Sequence, residues 1–70
     1  MTVIIISQVH EDDNMLLRDV ERFLRATGMP WTRFGRLAVN DPLFVKQLRD
    51  GRSPRPRTEI KVRHFMEIYQ

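Results

Sequence analysis

The sequence contains no cysteine. That absence excludes a disulfide-stapled scaffold, a thiolate zinc site and an iron–sulfur centre. Histidine is nearly missing as well: His10 and His64 stand far apart, with no helical spacing between them. Both read as surface residues and not as ligands, so no metal and no other cofactor is expected. Long apolar runs are also lacking. The longest, residues 3–6, falls far short of the roughly 18–20 residues that cross a bilayer. It is too short for the apolar core of a signal peptide, and no basic stretch precedes it. No membrane association is expected, and a cytoplasmic, nucleoid-associated location is the default. There is no phosphate-cradling glycine loop, no nucleophile with a base at recognisable spacing and no pair of carboxylates set for acid–base work. The expectation is therefore a binding protein and not an enzyme.

What the chain does have is arginine. Its 70 residues carry 12 Lys and Arg against 9 Asp and Glu, a net charge of +3, and ten of the twelve bases are Arg. A chain of this length forms one small domain and buries only about 60% of its unfolded surface. The charges are unevenly spread. Residues 1–30 hold three Arg and five acids; residues 31–70 hold nine bases and four acids. Arginine is the side chain best matched to phosphate and guanine, so this asymmetry points to an anionic partner.

Local signals divide the chain into an arm, residues 1–12, and a domain, residues 13–70. Residues 1–9 are rich in Val, Ile and Thr and read as a β-strand or extended arm. The arm is a candidate for pairing with a second copy, which would make a homodimer. Glu11, Asp12 and Asp13 then look like a helix start, since carboxylates favour the positive end of a helix. The first helix runs to about Ala26, with Leu16, Val20, Phe23 and Leu24 on one face, and stops at Gly28 and Pro30. A short second helix follows to Val39, with Trp31 and Thr32 at its start and Phe34, Leu37 and Ala38 as its apolar stripe. Asp41 and Pro42 cap a third helix that ends at Gly51 and buries Phe44, Val45 and Leu48. Residues 51–57 (Gly-Arg-Ser-Pro-Arg-Pro-Arg) read as an extended basic loop. Thr58 is the expected cap of a fourth helix carrying Ile60, Val62, Phe65, Met66 and Tyr69.

Two short helices, a tight turn and a basic loop outline a helix-turn-helix. The run from Phe34 to Asp41, followed by the run from Val45 to Gly51, resembles the helix-turn-helix of the lambda-repressor/Cro family, also called XRE-type regulators. Phe34 and Gly35 stand where that family has a Leu-Ala pair. Asp41 is the cap, Val45 and Leu48 are the core pair, and Gly51 is the terminator. Two positions depart from the pattern: Pro42-Leu43-Phe44 replaces small polar residues, and Val39 replaces the glycine of the turn, so the turn must be built differently.

The resemblance implies an all-α, compact four-helix domain of bacterial or phage type that binds double-stranded DNA. Pro42, Leu43, Lys46 and Gln47 would then face the bases, with Gln47 suited to adenine. Trp31, Thr32, Arg33, Arg49, Arg52, Arg55 and Arg57 would meet the backbone. The expected role is a small transcriptional regulator. The competing expectation is an interaction module of the same fold, a transcription-machinery adaptor or phage-type antagonist that docks to RNA polymerase or another regulator through the apolar Pro42–Phe44 edge. Trp31 also has a plain packing reading, because large aromatics dominate small cores.

Overall fold

The computed structural model describes residues 3–69, with side-chain surroundings from Met15 to Tyr69. Four helices follow one another: α1 (Val3–Thr27), α2 (Trp31–Val39), α3 (Phe44–Arg49) and α4 (Pro56–Ile68). No strand occurs among the described residues. At about 1.5 Å per residue, α1 alone accounts for most of the 39 Å long axis. No helix of the described residues is long and apolar enough to cross a membrane.

The N-terminal expectation is overturned. Residues 3–12 are not an extended arm; they form the first half of α1, and residues 11–13 lie inside that helix instead of starting it. The physical reason is backbone pairing. A lone strand leaves a row of N–H and C=O groups without partners, whereas a helix satisfies them internally. β-Branched residues cost a helix only a few tenths of a kcal/mol each, which is less than unmade hydrogen bonds. Met1 and Thr2 lie outside the described residues.

The core forms where all four helices meet. Leu16, Val20 and Leu24 project from α1, Phe34 from α2, Phe44, Val45 and Leu48 from α3, and Val62 from α4, with Met29 closing the α1–α2 corner. Phe34 is fully buried and stands edge-on to Phe23 and Phe65, each at 5.5 Å between ring centres. Such pairs add about 0.5–1.5 kcal/mol each beyond the area they bury. No polar side chain is buried among the described residues.

Two apolar stripes differ from expectation. In α2 the inward positions are Trp31, Phe34, Gly35 and Ala38, while Leu37 is 49% exposed. Gly35 takes the inward place because the backbones of α2 and α3 come close there. In α4 the helix begins at Pro56, with Arg55 as its N-cap, not at Thr58. Proline is well suited to a first helical position, since its missing N–H would have no partner there. The basic loop is correspondingly shorter. Val62 is fully buried and Phe65 and Met66 are half-buried, whereas Ile60 and Tyr69 are exposed.

Candidate nucleic-acid interface

The junction of α2 and α3 is held by four backbone and side-chain contacts. Asn40 adopts the left-handed conformation (φ 59°, ψ 34°), and its N–H donates to the Arg36 carbonyl at 3.0 Å. The chain then doubles back, so the Asp41 N–H reaches the Gly35 carbonyl at 3.0 Å. Asp41 Oδ1 accepts from the Leu43 N–H at 2.9 Å, and the Asp41 carbonyl accepts from the Phe44 N–H at 3.1 Å. The Asp41 side chain thus closes the turn ahead of α3, but the N-cap of α3 is Leu43, without a side-chain cap, so the helix begins at Phe44 and not at Pro42 as expected. Val39 is spared a positive φ because Asn40, which tolerates it, takes the left-handed place. Gly35 is the point of closest approach. A Cβ on it would collide with the Asp41 carbonyl oxygen and lie 3.2 Å from the Phe44 Cβ. That glycine therefore fixes how tightly α3 sits on α2.

With Phe44, Val45 and Leu48 turned inward, α3 presents Leu43, Lys46, Gln47 and Asp50 at successive outward positions. Pro42, Leu43 and Lys46 are exposed; Gln47 is half-buried. Gln47 borders a groove of about 400 Å³ that Asp41, Arg52, Ser53, Arg55 and Thr58 also line. The Arg52 N–H donates to the Gln47 carbonyl at 3.0 Å, which ties the start of the basic loop to α3. The structure therefore brings Gln47 together with Arg52 and Arg55. Leu43 stands apart from that groove, and Lys46 places its Nζ 3.1 Å from Asp50.

The arginines from α2 onward fall into two groups. Arg33, Arg36, Arg52, Arg55 and Arg57 are exposed and make no ion pair among the described residues. Arg36 is an addition to the expected set. It lies three residues after Arg33 on the outer face of α2, a spacing visible in the sequence. The α2 start has Pro30 as N-cap and no side-chain cap, so the first-turn N–H groups beside half-buried Thr32 remain without a side-chain acceptor.

Arg49 belongs to the other group. Its Nε and Nη2 donate to both oxygens of Glu21 on α1, at 2.7 and 2.8 Å, and its guanidinium sits 5.8 Å from the centre of the half-buried Trp31 ring. The hydrogen bond from Arg49 holds the Glu21 carboxyl below its ordinary value, against the opposing pull of burial. Hydrogen bonding to Glu21 likewise raises Arg49. Both Arg49 and Trp31 are thus engaged within the domain, in a contact that joins α1, α2 and α3. Arg63 on α4 makes the matching bond to Asp19 on α1 at 2.8 Å and one to Glu59 at 3.0 Å. Among the described residues, no three His, Cys, Asp or Glu side chains gather in a group able to hold a metal ion.

No protein family, curated protein or solved structure matches the chain.

Proposed function

We propose that the protein binds double-stranded DNA sequence-specifically and acts as a small transcriptional regulator, with α3 in the major groove. The observation that carries this reading is a set of exposed arginines without ion pairs among the described residues. Arg33 and Arg36 stand on α2, and Arg52, Arg55 and Arg57 follow α3 in the loop and the start of α4. Guanidinium groups left without carboxylate partners favour phosphate, and counterion release then supplies affinity regardless of sequence. Gln47 lies on the outward side of α3 beside two of these arginines, where its amide can pair with an adenine edge. Leu43 can meet only a thymine methyl or a sugar, and Lys46 reaches a guanine or a phosphate once it leaves Asp50. The helix pair joined by the Asn40 turn is the scaffold that such docking requires.

The test is a fluorescence titration of labelled duplexes, both random and selected from a random pool. DNA binding that weakens steeply with salt is the expected result. Gln47→Ala should lose about 1–3 kcal/mol of discrimination at one base position. Absence of binding to every duplex at low salt overturns the proposal.

A second reading rests on Leu37 and Leu43, which are 49% and 50% exposed on either side of the turn. Apolar side chains in that place suit a protein partner such as RNA polymerase or another regulator. A protein complex that survives nuclease and high salt, and that fails with Leu43→Asp, would favour it over the DNA reading.

A further inference from the structure

The groove of about 400 Å³ beside α3 has an apolar floor and an unevenly charged rim. Val39, Phe44 and Leu48 supply the apolar lining. On the side of the loop and α4 stand Arg52 and Arg55, both exposed and neither in an ion pair among the described residues. Ser53 and Thr58 line the same side, and their hydroxyls make no hydrogen bond among those residues. Asp41 lines the side of the turn, where its Oδ1 accepts from the Leu43 N–H. Backbone bonds fix the walls. The Phe44 N–H donates to the Asp41 carbonyl at 3.1 Å, the Arg52 N–H to the Gln47 carbonyl at 3.0 Å and the Glu59 N–H to the Arg55 carbonyl at 3.0 Å. A ligand therefore has little backbone to order when it enters.

We propose that this groove binds a small carboxylic acid with an aromatic or branched apolar body, and that the bound acid releases DNA. The charges select the occupant. Two guanidinium groups without carboxylate partners favour a carboxylate, which arginine meets through paired hydrogen bonds. Asp41 repels an anion from the turn, so the carboxylate lies toward the loop and the body over Val39, Phe44 and Leu48. That floor rewards an apolar body, which a bare inorganic anion lacks. The volume stands near the lower end of the ~300–1,000 Å³ of small-molecule sites, which suits an acid of the size of benzoate. Release rests on the DNA reading, in which Arg52 and Arg55 meet phosphates and Gln47 meets a base. A guanidinium held by the acid is lost to the phosphate, so the two ligands oppose each other reciprocally.

Amide NMR of the full chain, titrated with benzoate, phenylacetate and isovalerate to about 10 mM, tests the site without DNA. The expected result is saturable movement of the Gln47, Arg52, Ser53, Arg55 and Thr58 amides by at least one acid, with a Kd of about 0.1–3 mM. Arg52→Ala and Arg55→Ala each weaken it about fivefold or more, and both replace exposed side chains that hold no ion pair. The methyl ester of that acid and inorganic phosphate each bind about fivefold more weakly or less. Failure of all three acids to move these amides overturns the proposal. So does phosphate or the ester binding as well as the acid, or binding indifferent to both arginine variants. The duplex titration is then repeated with the acid at about ten times its Kd, where exclusion raises the apparent Kd for DNA about tenfold. Unchanged DNA affinity overturns release. If no duplex binds with or without acid, the DNA reading falls, and release falls with it, while the NMR result still decides the acid site.

Discussion

Arg49 and Arg55 stand six residues apart and carry the same guanidinium, yet their surroundings differ. Arg49, with Arg63, belongs to a belt of ion pairs in which Asp19 and Glu21 of α1 hold α4 and α3. Arg55, with Arg33, Arg36, Arg52 and Arg57, faces solvent and makes no ion pair among the described residues. The difference explains the charge asymmetry along the chain. Two of the acids in its first 30 residues neutralise arginines of the basic part from across the fold. Arg33, Arg36, Arg52, Arg55 and Arg57 remain without an ion pair among the described residues, as do Arg18 and Arg25 on α1. Arginine content alone therefore does not mark an anion-binding surface; the arginines whose charge is unspent do.

The strongest way to break this arrangement is at Gly35, which sets the seating of α3 on α2. Gly35→Ala places a Cβ against the Asp41 carbonyl, and backbone must shift to relieve it. The expected loss is about 3 kcal/mol of stability, read by urea denaturation, with a parallel loss of DNA binding. An unchanged midpoint would mean that α3 sits farther from α2 than described.

Next comes the contrast between the two groups of arginines. The double variant R55A/R57A should weaken binding to all duplexes alike and reduce the slope of log K against log salt by about 2, while thermal stability moves by under about 0.5 kcal/mol. Arg49→Ala should do the reverse. Its pair with Glu21 is bidentate but partly exposed, so the expected cost is about 0.5–1 kcal/mol of stability, with the salt slope unchanged. If Arg49→Ala flattened the salt slope as Arg55→Ala does, the division into two groups would fail.

The smallest effect is a pH dependence. Glu21 is held below its ordinary value in the folded chain. Its contribution is therefore complete above the unfolded value near 4.5 and is lost as pH falls through the lower folded value. Glu21→Gln should make the acid-side decline in stability shallower, by a few tenths of a kcal/mol. A wild-type decline no steeper than the variant's would show that the pair contributes nothing.

Much of this was legible in the residues. Leu16, Val20 and Leu24 recur at helical spacing, and Gly28, Asp41 and Gly51 mark where helices stop or start; local chemistry dictates these wherever the chain folds. The same holds for the Arg-rich stretch after Gly51, whose prolines and missing acids leave its charge without local partners. The errors have physical causes too. Residues 3–9 carry β-branched side chains, but propensity is weak beside the need to pair a backbone, and the helix supplies that pairing. Leu37 fits an apolar stripe as well as Gly35 does, and spacing alone cannot say which of two neighbouring faces another helix will cover.

The sequence by itself determined the number and order of the last three helices and the turn that Asp41 closes between α2 and α3. These depend on contacts within a few residues. Only the tertiary structure decided which arginines are spent. Glu21 meets Arg49 across 28 positions and Asp19 meets Arg63 across 44, and no local rule links residues so far apart. It also decided that Asn40 carries the left-handed turn and that Ile60 and Ile68 are left outside. Those outcomes follow from how closely helices can approach, which is fixed by the volume of Gly35 and of the rings packed around Phe34.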